Sequence, residues 1–219
     1  MIELNSYKLM TIKNLINSAK KIMEEEGIDN ITIRKVGDLA GFNSATIYNY
    51  FENLEHLKVF VCLQVLDSYI EDIGNYISPQ KDNVLSDYYG IWECFIKHTM
   101  ENISAYYTIF FNNLDRSLSD YIVDYYAIFP FENKNYGSVI DSMLNNSSIE
   151  ERNIILLKEL SKRGYIDEEL VEYVNDISSF SYEAILRRIY KGELEIDEGI
   201  SKMRRCVFGV LESNLKKTV

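Results

Sequence analysis

Small and hydrogen-bonding side chains are concentrated in one short segment near the start of the chain, residues 44–50, which reads Ser-Ala-Thr-Ile-Tyr-Asn-Tyr. Hydroxyl and amide groups can bond to the edges of DNA bases, and small residues at the leading end of a helix let its backbone approach the groove. Ile47 and Phe51, four residues apart, would face inward in a helix. The outward face would then consist of Ser44, Ala45, Thr46, Tyr48 and Asn49.

Two short helical patterns flank the sequence Gly41-Phe42-Asn43, a turn of the kind that joins the helices of a helix-turn-helix. The first begins at Thr32, a good N-cap residue, and the second begins after Asn43, another good cap, and runs to Phe51. The apolar face of the first pattern consists of Ile33, Val36, Leu39 and Ala40. The spacing therefore predicts a short DNA-reading helix presented by a helix-turn-helix.

A third helix is predicted from Tyr7 to Glu26, because apolar residues recur at helical spacing and Gly27 follows as a C-cap residue. It would brace the other two and complete a three-helix head. The predicted core of this head is Ile12, Ile16, Ile22 or Met23, Ile31, Val36, Leu39, Ile47 and Phe51. Lys8, Lys13 and Arg34 could approach phosphates, or could simply be solvated.

The stretch from Ile31 to Leu57 resembles the N-terminal signature of the TetR family of transcriptional regulators. In that signature a threonine-led helix, a glycine turn and a short helix ending in Tyr-x-Tyr/His-Phe precede a polar hinge and a Leu-rich helix. The matching residues here are Thr32, Gly41, Tyr48, Asn49, Tyr50, Phe51 and Leu57. Two positions depart from the pattern: Leu54 stands where the family usually has a lysine that clamps the DNA backbone, and Glu52 stands where a neutral or basic residue would suit a phosphate.

The resemblance implies a repressor that binds a palindromic double-stranded DNA operator as a homodimer and is released by a small lipophilic or aromatic effector. Ser44, Ala45, Thr46, Tyr48 and Asn49 would read bases or nearby phosphates. The DNA backbone would be held by Thr32, Arg34 and Tyr50. The long apolar segment from Leu54 to about Tyr76 would connect the head to the body and transmit the effect of the ligand.

The fold is predicted to be all-α, because only two prolines and ten glycines interrupt the helical patterns. We expect a helix-turn-helix DNA-binding domain over residues 1–57 and a larger helical effector-binding and dimerisation domain over residues 58–219. No apolar run reaches the roughly 18 residues that a membrane span needs, and no signal peptide is seen, so the expected location is the cytoplasm without membrane association. Three cysteines without C-x-x-C spacing suggest core thiols, and no metal or cofactor is predicted.

The net charge of −11 is unusual for a DNA-binding protein, so its distribution matters more than its sum. The first 60 residues carry −1, with seven basic and eight acidic residues, and the remainder carries −10. The segment predicted to read DNA is therefore less strongly repelled by phosphate than the rest of the chain.

Residues 84–136 contain 14 of the 28 aromatic residues, a density about twice that of the whole chain. One interpretation is a pocket for a flat or lipophilic effector, or for a cation held over ring faces. Its predicted lining is Tyr89, Trp92, Phe95, Tyr107, Phe110, Phe111 and Tyr125, with His98 and Glu93 as the polar groups that orient the ligand. The alternative is that these rings fill the core of a helical bundle.

Two amphipathic helical patterns close the chain, one ending near Tyr190 and the other beginning near Asp197. They resemble the pair through which the TetR family dimerises, although packing within one chain would use the same faces. His56 has no second metal ligand at i+3 or i+4 and is interpreted as a surface or interface histidine. No nucleotide-binding, zinc-protease or nucleophile-elbow motif is present, so an enzyme is not predicted. A helical enzyme or a protein-binding adaptor built around the aromatic-rich region remains the alternative.

Overall fold

The computed structural model describes residues 6–78, 83–130 and 135–216, and every regular element within these ranges is helical. This confirms the all-α prediction. Three single-turn 3-10 helices, Ile28–Asn30, Ile73–Asn75 and Glu168–Leu170, accompany the α-helices. The α-helices are α1 (Ser6–Glu26), α2 (Ile33–Ala40), α3 (Ser44–Tyr48), α4 (Leu54–Asp72), α5 (Val84–Glu101), α6 (Ile103–Phe111), α7 (Leu118–Ile128), α8 (Ser138–Leu144), α9 (Ile149–Lys162), α10 (Val171–Tyr190) and α11 (Ile196–Glu212).

The chain forms two compact units. The head unit comprises Met1–Leu66 together with Ser104–Glu132, and the body unit comprises Asp67–Ile103 together with Asn133–Val219. Helices α6 and α7 thus belong almost entirely to the unit that contains the helix-turn-helix, although they lie far from it in sequence. None of the described helices is long and apolar enough to cross a membrane.

The helix-turn-helix is defined by side-chain caps at both of its helices. The Thr32 side chain accepts a hydrogen bond from the Lys35 backbone N–H at 3.2 Å, and the Asn43 side chain accepts one from the Thr46 N–H at 2.8 Å. Gly41 ends α2 with a φ of 78°, a left-handed conformation that favours glycine. Both predicted caps are therefore confirmed, while α3 is a five-residue helix that ends at Tyr48 instead of Phe51.

The core of the head matches the prediction with one exception. Ile12, Ile16, Ile22, Met23, Ile31, Val36, Ile47 and Phe51 are all buried. The assignment of Leu39 to this core was wrong, because its side chain is 47% exposed. The inner face of α2 is formed by Val36 and Gly37 instead, and a Cβ atom on Gly37 would lie 2.5 Å from the backbone oxygen of Phe42. The turn passes so close to α2 there that no side chain fits at position 37.

A buried chain of hydrogen bonds joins three helices of the body unit. The Trp92 indole on α5 donates to Asn153 Oδ1 on α9 at 3.0 Å, and the Asn153 amide donates to Asn175 Oδ1 on α10 at 2.9 Å. Buried polar groups of this kind are costly unless they are paired, so the three helices are constrained to one relative position. Two turns of α5 further on, the hydroxyls of Thr99 and Tyr182 lie 2.7 Å apart.

His56, at the start of α4, is a buried part of the head, so its interpretation as a surface residue was wrong. Its ring lies 5.5 Å from that of Phe51 and 4.5 Å from that of Phe60, measured between centroids. Its Nδ1 atom accepts a hydrogen bond from the Glu52 backbone N–H at 3.3 Å, while its own backbone N–H donates to Asn53 Oδ1 at 2.8 Å. These bonds hold the loop between α3 and α4, and burial lowers the pKa of the imidazole.

Because the pKa of His56 is lower in the folded protein than its ordinary value of 6.5, the unfolded chain takes up a proton first as the pH falls. The contribution of His56 to the free energy of unfolding is therefore fully present above about pH 6.5 and declines below that pH. We expect the free energy of unfolding, measured in urea at pH 7.5, 6.5 and 5.5, to fall less in His56→Asn than in the wild type. Asn supplies an acceptor in place of Nδ1 but does not titrate, so an equal decline in both proteins would contradict this assignment.

Candidate nucleic-acid interface

The predicted reading residues form a polar surface on and beside α3. Ser44, Ala45, Tyr48 and Asn49 are exposed, with Tyr48 56% accessible, while Thr46 and Tyr50 are half-buried. Ile47 lies between them and is completely buried. One apolar side chain thus anchors the helix while its neighbours on either side remain available to a partner. Small and hydrogen-bonding side chains of this kind suit contacts with base edges in a major groove.

The polar groups of this surface differ in whether they already take part in hydrogen bonds within the head. Thr46 Oγ1 donates to Asn43 Oδ1 at 3.1 Å, and the Thr32 hydroxyl oxygen accepts the capping bond of α2. Ser44 and Asn49 lie at the two ends of α3, and the side chains of both are exposed. Their polar groups, with the Tyr48 hydroxyl, are therefore those most directly suited to contact bases.

Positive charge near this surface comes from Arg34. Its side chain is 90% exposed, and its nearest carboxylate, that of Asp38, lies 3.8 Å away on the same helix. A surface pair of this kind contributes little stability, so a phosphate can replace Asp38 at small cost. The neighbouring Lys35 is instead paired with Glu26 at 2.6 Å.

The two acidic residues beyond α3 are satisfied within the head unit by residues about 60 positions later. Glu52 lies 3.3 Å from the Arg116 guanidinium, which also pairs with Asp124 at 2.7 Å. Glu55 accepts hydrogen bonds from the Asp115 backbone N–H at 2.7 Å and from the Tyr121 hydroxyl at 2.9 Å. The charge of Glu52 is thus partly neutralised, and the loop after α3 is tied to α7. Nothing in the local sequence indicates these partners.

The predicted ligand residues are divided between the two units. Tyr107, Phe110, Phe111 and Tyr125 belong to the head unit, and Tyr89, Trp92, Phe95 and His98 belong to the body unit. Tyr125 is buried against Phe60, with ring centroids 5.4 Å apart. Tyr89 packs on Phe208 at 5.1 Å. Trp92, Phe95 and Tyr125 are core rings, as in the alternative interpretation, whereas Tyr89, Tyr107, Phe110 and Phe111 are half-buried.

A small cavity in the body unit touches two of the predicted ligand residues, Trp92 and Phe95. Its volume of about 30 Å³ accommodates about one water molecule and no organic ligand. His98 does not face it; its Nε2 lies 2.9 Å from Asp72 Oδ2. Glu93, the other predicted orienting group, forms a two-pronged ion pair with Arg204, with its closest N–O distance at 2.6 Å.

A larger cavity of about 550 Å³ lies elsewhere in the body unit, and the sequence did not indicate it. Its lining combines apolar and charged side chains from α5, α8 and α9, including Val84, Asp87, Ile91, Val139, Ile140, Leu156, Glu159, Lys162 and Arg163. Asp87 accepts a hydrogen bond from the Ser78 backbone N–H at 2.7 Å, yet burial raises the pKa of its carboxyl group. This volume falls within the usual range for small-molecule sites.

An apolar stripe runs along the outer face of α10. Tyr173, Ile177 and Phe180, at positions i, i+4 and i+7, are 53%, 37% and 59% exposed. The opposite face of the same helix is buried, with Val174, Tyr182 and Leu186 completely inaccessible. The helix therefore has more apolar surface than its own unit covers.

Residues 15–57 match the model of the family described as bacterial regulatory proteins, tetR family. No curated protein sequence is significantly similar to this chain. Among solved structures, the chain is similar to FadR from Thermus thermophilus, a TetR family repressor in complex with lauroyl-CoA, with 13% identity, a TM-score of 0.60 and coverage of 95% and 97% of the two chains.

SmeT, the repressor of a multidrug efflux pump of Stenotrophomonas maltophilia, matches with 11% identity and a TM-score of 0.59 over 94% of this chain and 91% of its own. RolR in complex with resorcinol matches with 17% identity and a TM-score of 0.55 over 96% and 90%. At these identities the structures establish the fold alone. Residues 15–57 thus match the tetR family in sequence, and the chain has the fold of solved TetR-family transcriptional regulators.

Proposed function

We propose that this protein is a ligand-responsive transcriptional repressor that binds a palindromic DNA operator as a homodimer. The observation that carries the proposal is the exposed polar face of α3, anchored by the completely buried Ile47 within a tetR-family segment. Ser44, Ala45, Thr46, Tyr48 and Asn49 contact bases or adjacent phosphates. The DNA backbone is contacted by Thr32, Arg34 and Tyr50.

The base contacts follow from the chemistry of each side chain. The Asn49 amide can donate to and accept from adenine, and the Thr46 methyl group can pack on the thymine methyl. Because Thr46 already donates its hydroxyl hydrogen to Asn43, its methyl group is the more available part. Backbone anchoring relies on Arg34, since Leu54 stands where the family usually has a lysine.

Dimerisation is proposed to occur through α10 and α11, with the stripe Tyr173, Ile177 and Phe180 at its centre. Large exposed apolar side chains at helical spacing on one face are typical of helices that pack against a partner. A two-fold arrangement would place the same stripe of both copies together. Two heads held in this way can bind half-sites one DNA turn apart, about 34–36 Å, or a multiple of that distance.

The effector is proposed to bind in the 550 Å³ cavity of the body unit. Its apolar walls, which include Ile91, Val139 and Leu156, suit a lipophilic or aromatic ligand, and its charged rim adds selectivity. The complexes of FadR with lauroyl-CoA and of RolR with resorcinol support a small-molecule effector. The half-buried Asp87 is the group best placed to bind a donor on that ligand.

DNA binding is tested by selecting a site from random duplexes and measuring affinity at several salt concentrations. We expect a steep salt dependence, with a log-log slope near −0.9 per neutralised phosphate, whereas an adaptor that binds protein would show none. Tyr48→Ala should lower operator affinity by about 1–3 kcal/mol, or roughly 5- to 150-fold, because it removes a base contact. Sedimentation velocity should show that the Tyr48→Ala variant still forms a dimer.

Two control substitutions separate base reading from simple charge. Arg34→Ala should weaken binding to all sequences and reduce the salt slope by about 1, as expected for a phosphate contact. Lys158→Ala removes an exposed charge from α9 in the body unit and should change neither quantity. Unchanged operator affinity in Tyr48→Ala would refute the assignment of α3 as the reading helix.

The dimer is tested by sedimentation velocity at micromolar concentration. Phe180→Glu should raise the dimer dissociation constant more than about a hundredfold, because an unpaired carboxylate would be buried in each half of the interface. Glu172→Lys alters charge on the same helix at the polar side of the stripe and should leave the dimer intact. A wild-type protein that sediments as a monomer under these conditions would contradict the proposed dimer.

The effector site is tested with a compound found by thermal-shift screening of lipophilic and aromatic molecules. Such a ligand at 100 times its dissociation constant stabilises the folded state by about 2.7 kcal/mol. We expect Val139→Trp to fill the cavity, abolish this shift and leave operator binding unaffected. The same replacement at Val123, which is exposed on α7, is the matched control and should retain the shift. A full response in Val139→Trp would place the effector elsewhere.

A further inference from the structure

Three potential metal ligands meet in the body unit where α4 ends beside α5. Cys94 and His98 are four residues apart on α5 and therefore share one face of that helix. Asp72 is the last residue of α4. One ligand atom from each residue lies within 4.8 Å of those from the other two. Cys94 and His98 are buried and Asp72 is half-buried, so the group is largely shielded from solvent.

The ligand set is one that zinc uses. A thiolate, an imidazole and a carboxylate bind Zn²⁺ at roughly 2.0–2.3 Å, and tetrahedral geometry then places the donor atoms roughly 3.3–3.6 Å from one another. The Nε2 atom of His98 and the Oδ2 atom of Asp72, now 2.9 Å apart, would separate slightly, while rotation of the Cys94 side chain would adjust the position of its sulfur, which lies within 4.8 Å of a ligand atom of each. Hard cations such as Mg²⁺ and Ca²⁺ prefer oxygen ligands and would be disfavoured by the sulfur and nitrogen.

The carboxylate of Asp72 is already prepared for a cation. Three polar groups surround it: the Asn75 amide, the His98 imidazole and the Lys97 ammonium group. The Asn75 amide donates to Oδ1 at 2.8 Å and orients the carboxylate. Oδ2 is shared by His98 Nε2 at 2.9 Å and by the Lys97 ammonium group at 3.0 Å.

Lys97 is the charge that a metal ion would displace. Its side chain is 46% exposed, so it can leave Asp72 without losing a buried position. The ammonium group also lies 5.6 Å from the centroid of the Tyr76 ring, a contact that could hold it after displacement. Lys97 thus supplies one positive charge to Asp72 that the metal ion would replace.

We infer that Asp72, Cys94 and His98 form a Zn²⁺ site, with a fourth position open to water, that fills in exchange for the Lys97 ammonium group. This site is separate from DNA reading and goes beyond the proposed function. Binding releases the thiol proton of Cys94, since the thiolate is the ligand.

The test uses Co²⁺ as a spectroscopic substitute for Zn²⁺ on the full-length protein. One equivalent of Co²⁺ should give a thiolate-to-metal charge-transfer band and the intense visible bands of tetrahedral cobalt, and Zn²⁺ should abolish both. Loss of a residue that only orients a metal ligand typically weakens binding roughly 10- to 100-fold. Cys94→Ser and His98→Gln each remove a ligand, so each should weaken Co²⁺ binding by more than that. Cys62→Ser and Cys206→Ser are the matched controls and should keep the spectrum.

Lys97→Gln distinguishes a metal site from a purely structural cluster. It removes the competing ammonium group but none of the three ligands, so it should bind Co²⁺ more tightly than the wild type. Thermal melting without metal checks that each variant is folded, and added Zn²⁺ should raise the melting temperature of the wild type but not of Cys94→Ser. A wild type without a charge-transfer band, a band that survives in Cys94→Ser, or weaker binding in Lys97→Gln would overturn the inference.

Discussion

The burial of Ile47 is the constraint on which the rest of the head depends. Helix α3 has five residues, far fewer than an isolated helix needs to be stable in water. Ordering five residues costs on the order of 5–10 kcal/mol, whereas burying one isoleucine contributes about 1.5–3 kcal/mol. The caps of α2 and α3 and the core contacts of Phe51 must therefore contribute as well. A reading surface this small exists only as part of a larger packed unit.

The acidic character of the chain is compatible with DNA binding because of how charges near α3 are arranged. Glu52 is paired with Arg116, and Glu55 is occupied by the Tyr121 hydroxyl and the Asp115 backbone. These carboxylates are thus engaged by α7 and the residues before it, within the same unit as the helix-turn-helix. The loop around Asn53 is also restricted, because Asn53 Oδ1 accepts a hydrogen bond from the His56 backbone N–H. This bond determines where α4 begins after α3.

The body unit combines rigid and accessible regions. The hydrogen-bonded path from Trp92 through Asn153 to Asn175 fixes α5, α9 and α10 against one another with paired buried groups. The 550 Å³ cavity opens beside these helices, and the stripe on α10 lies on the face that they leave uncovered. A ligand site supported by rigid helices can respond to its occupant with small, defined movements, which is what a regulator requires.

The sequence by itself determined the features that arise from neighbouring residues. Helical spacing predicted the all-α fold, and Thr32 and Asn43 indicated where α2 and α3 begin. The four-residue spacing of Ile47 and Phe51 identified the polar face as the outward one. Capping and helical periodicity act over three to seven residues, so local sequence contains the information. Leu39 is the instructive error, because periodicity alone could not show that α2 would turn Val36 and Gly37 inward and leave Leu39 exposed.

Only the tertiary structure decided features that join distant parts of the chain. Arg116 meets Glu52 across 64 residues, Trp92 meets Asn153 across 61, and Asp72 meets His98 across 26. It also divided the aromatic-rich region between two units and formed the larger cavity from three helices. Such contacts depend on how helices are positioned in space. The same helical pattern in the sequence is compatible with many spatial arrangements of the helices.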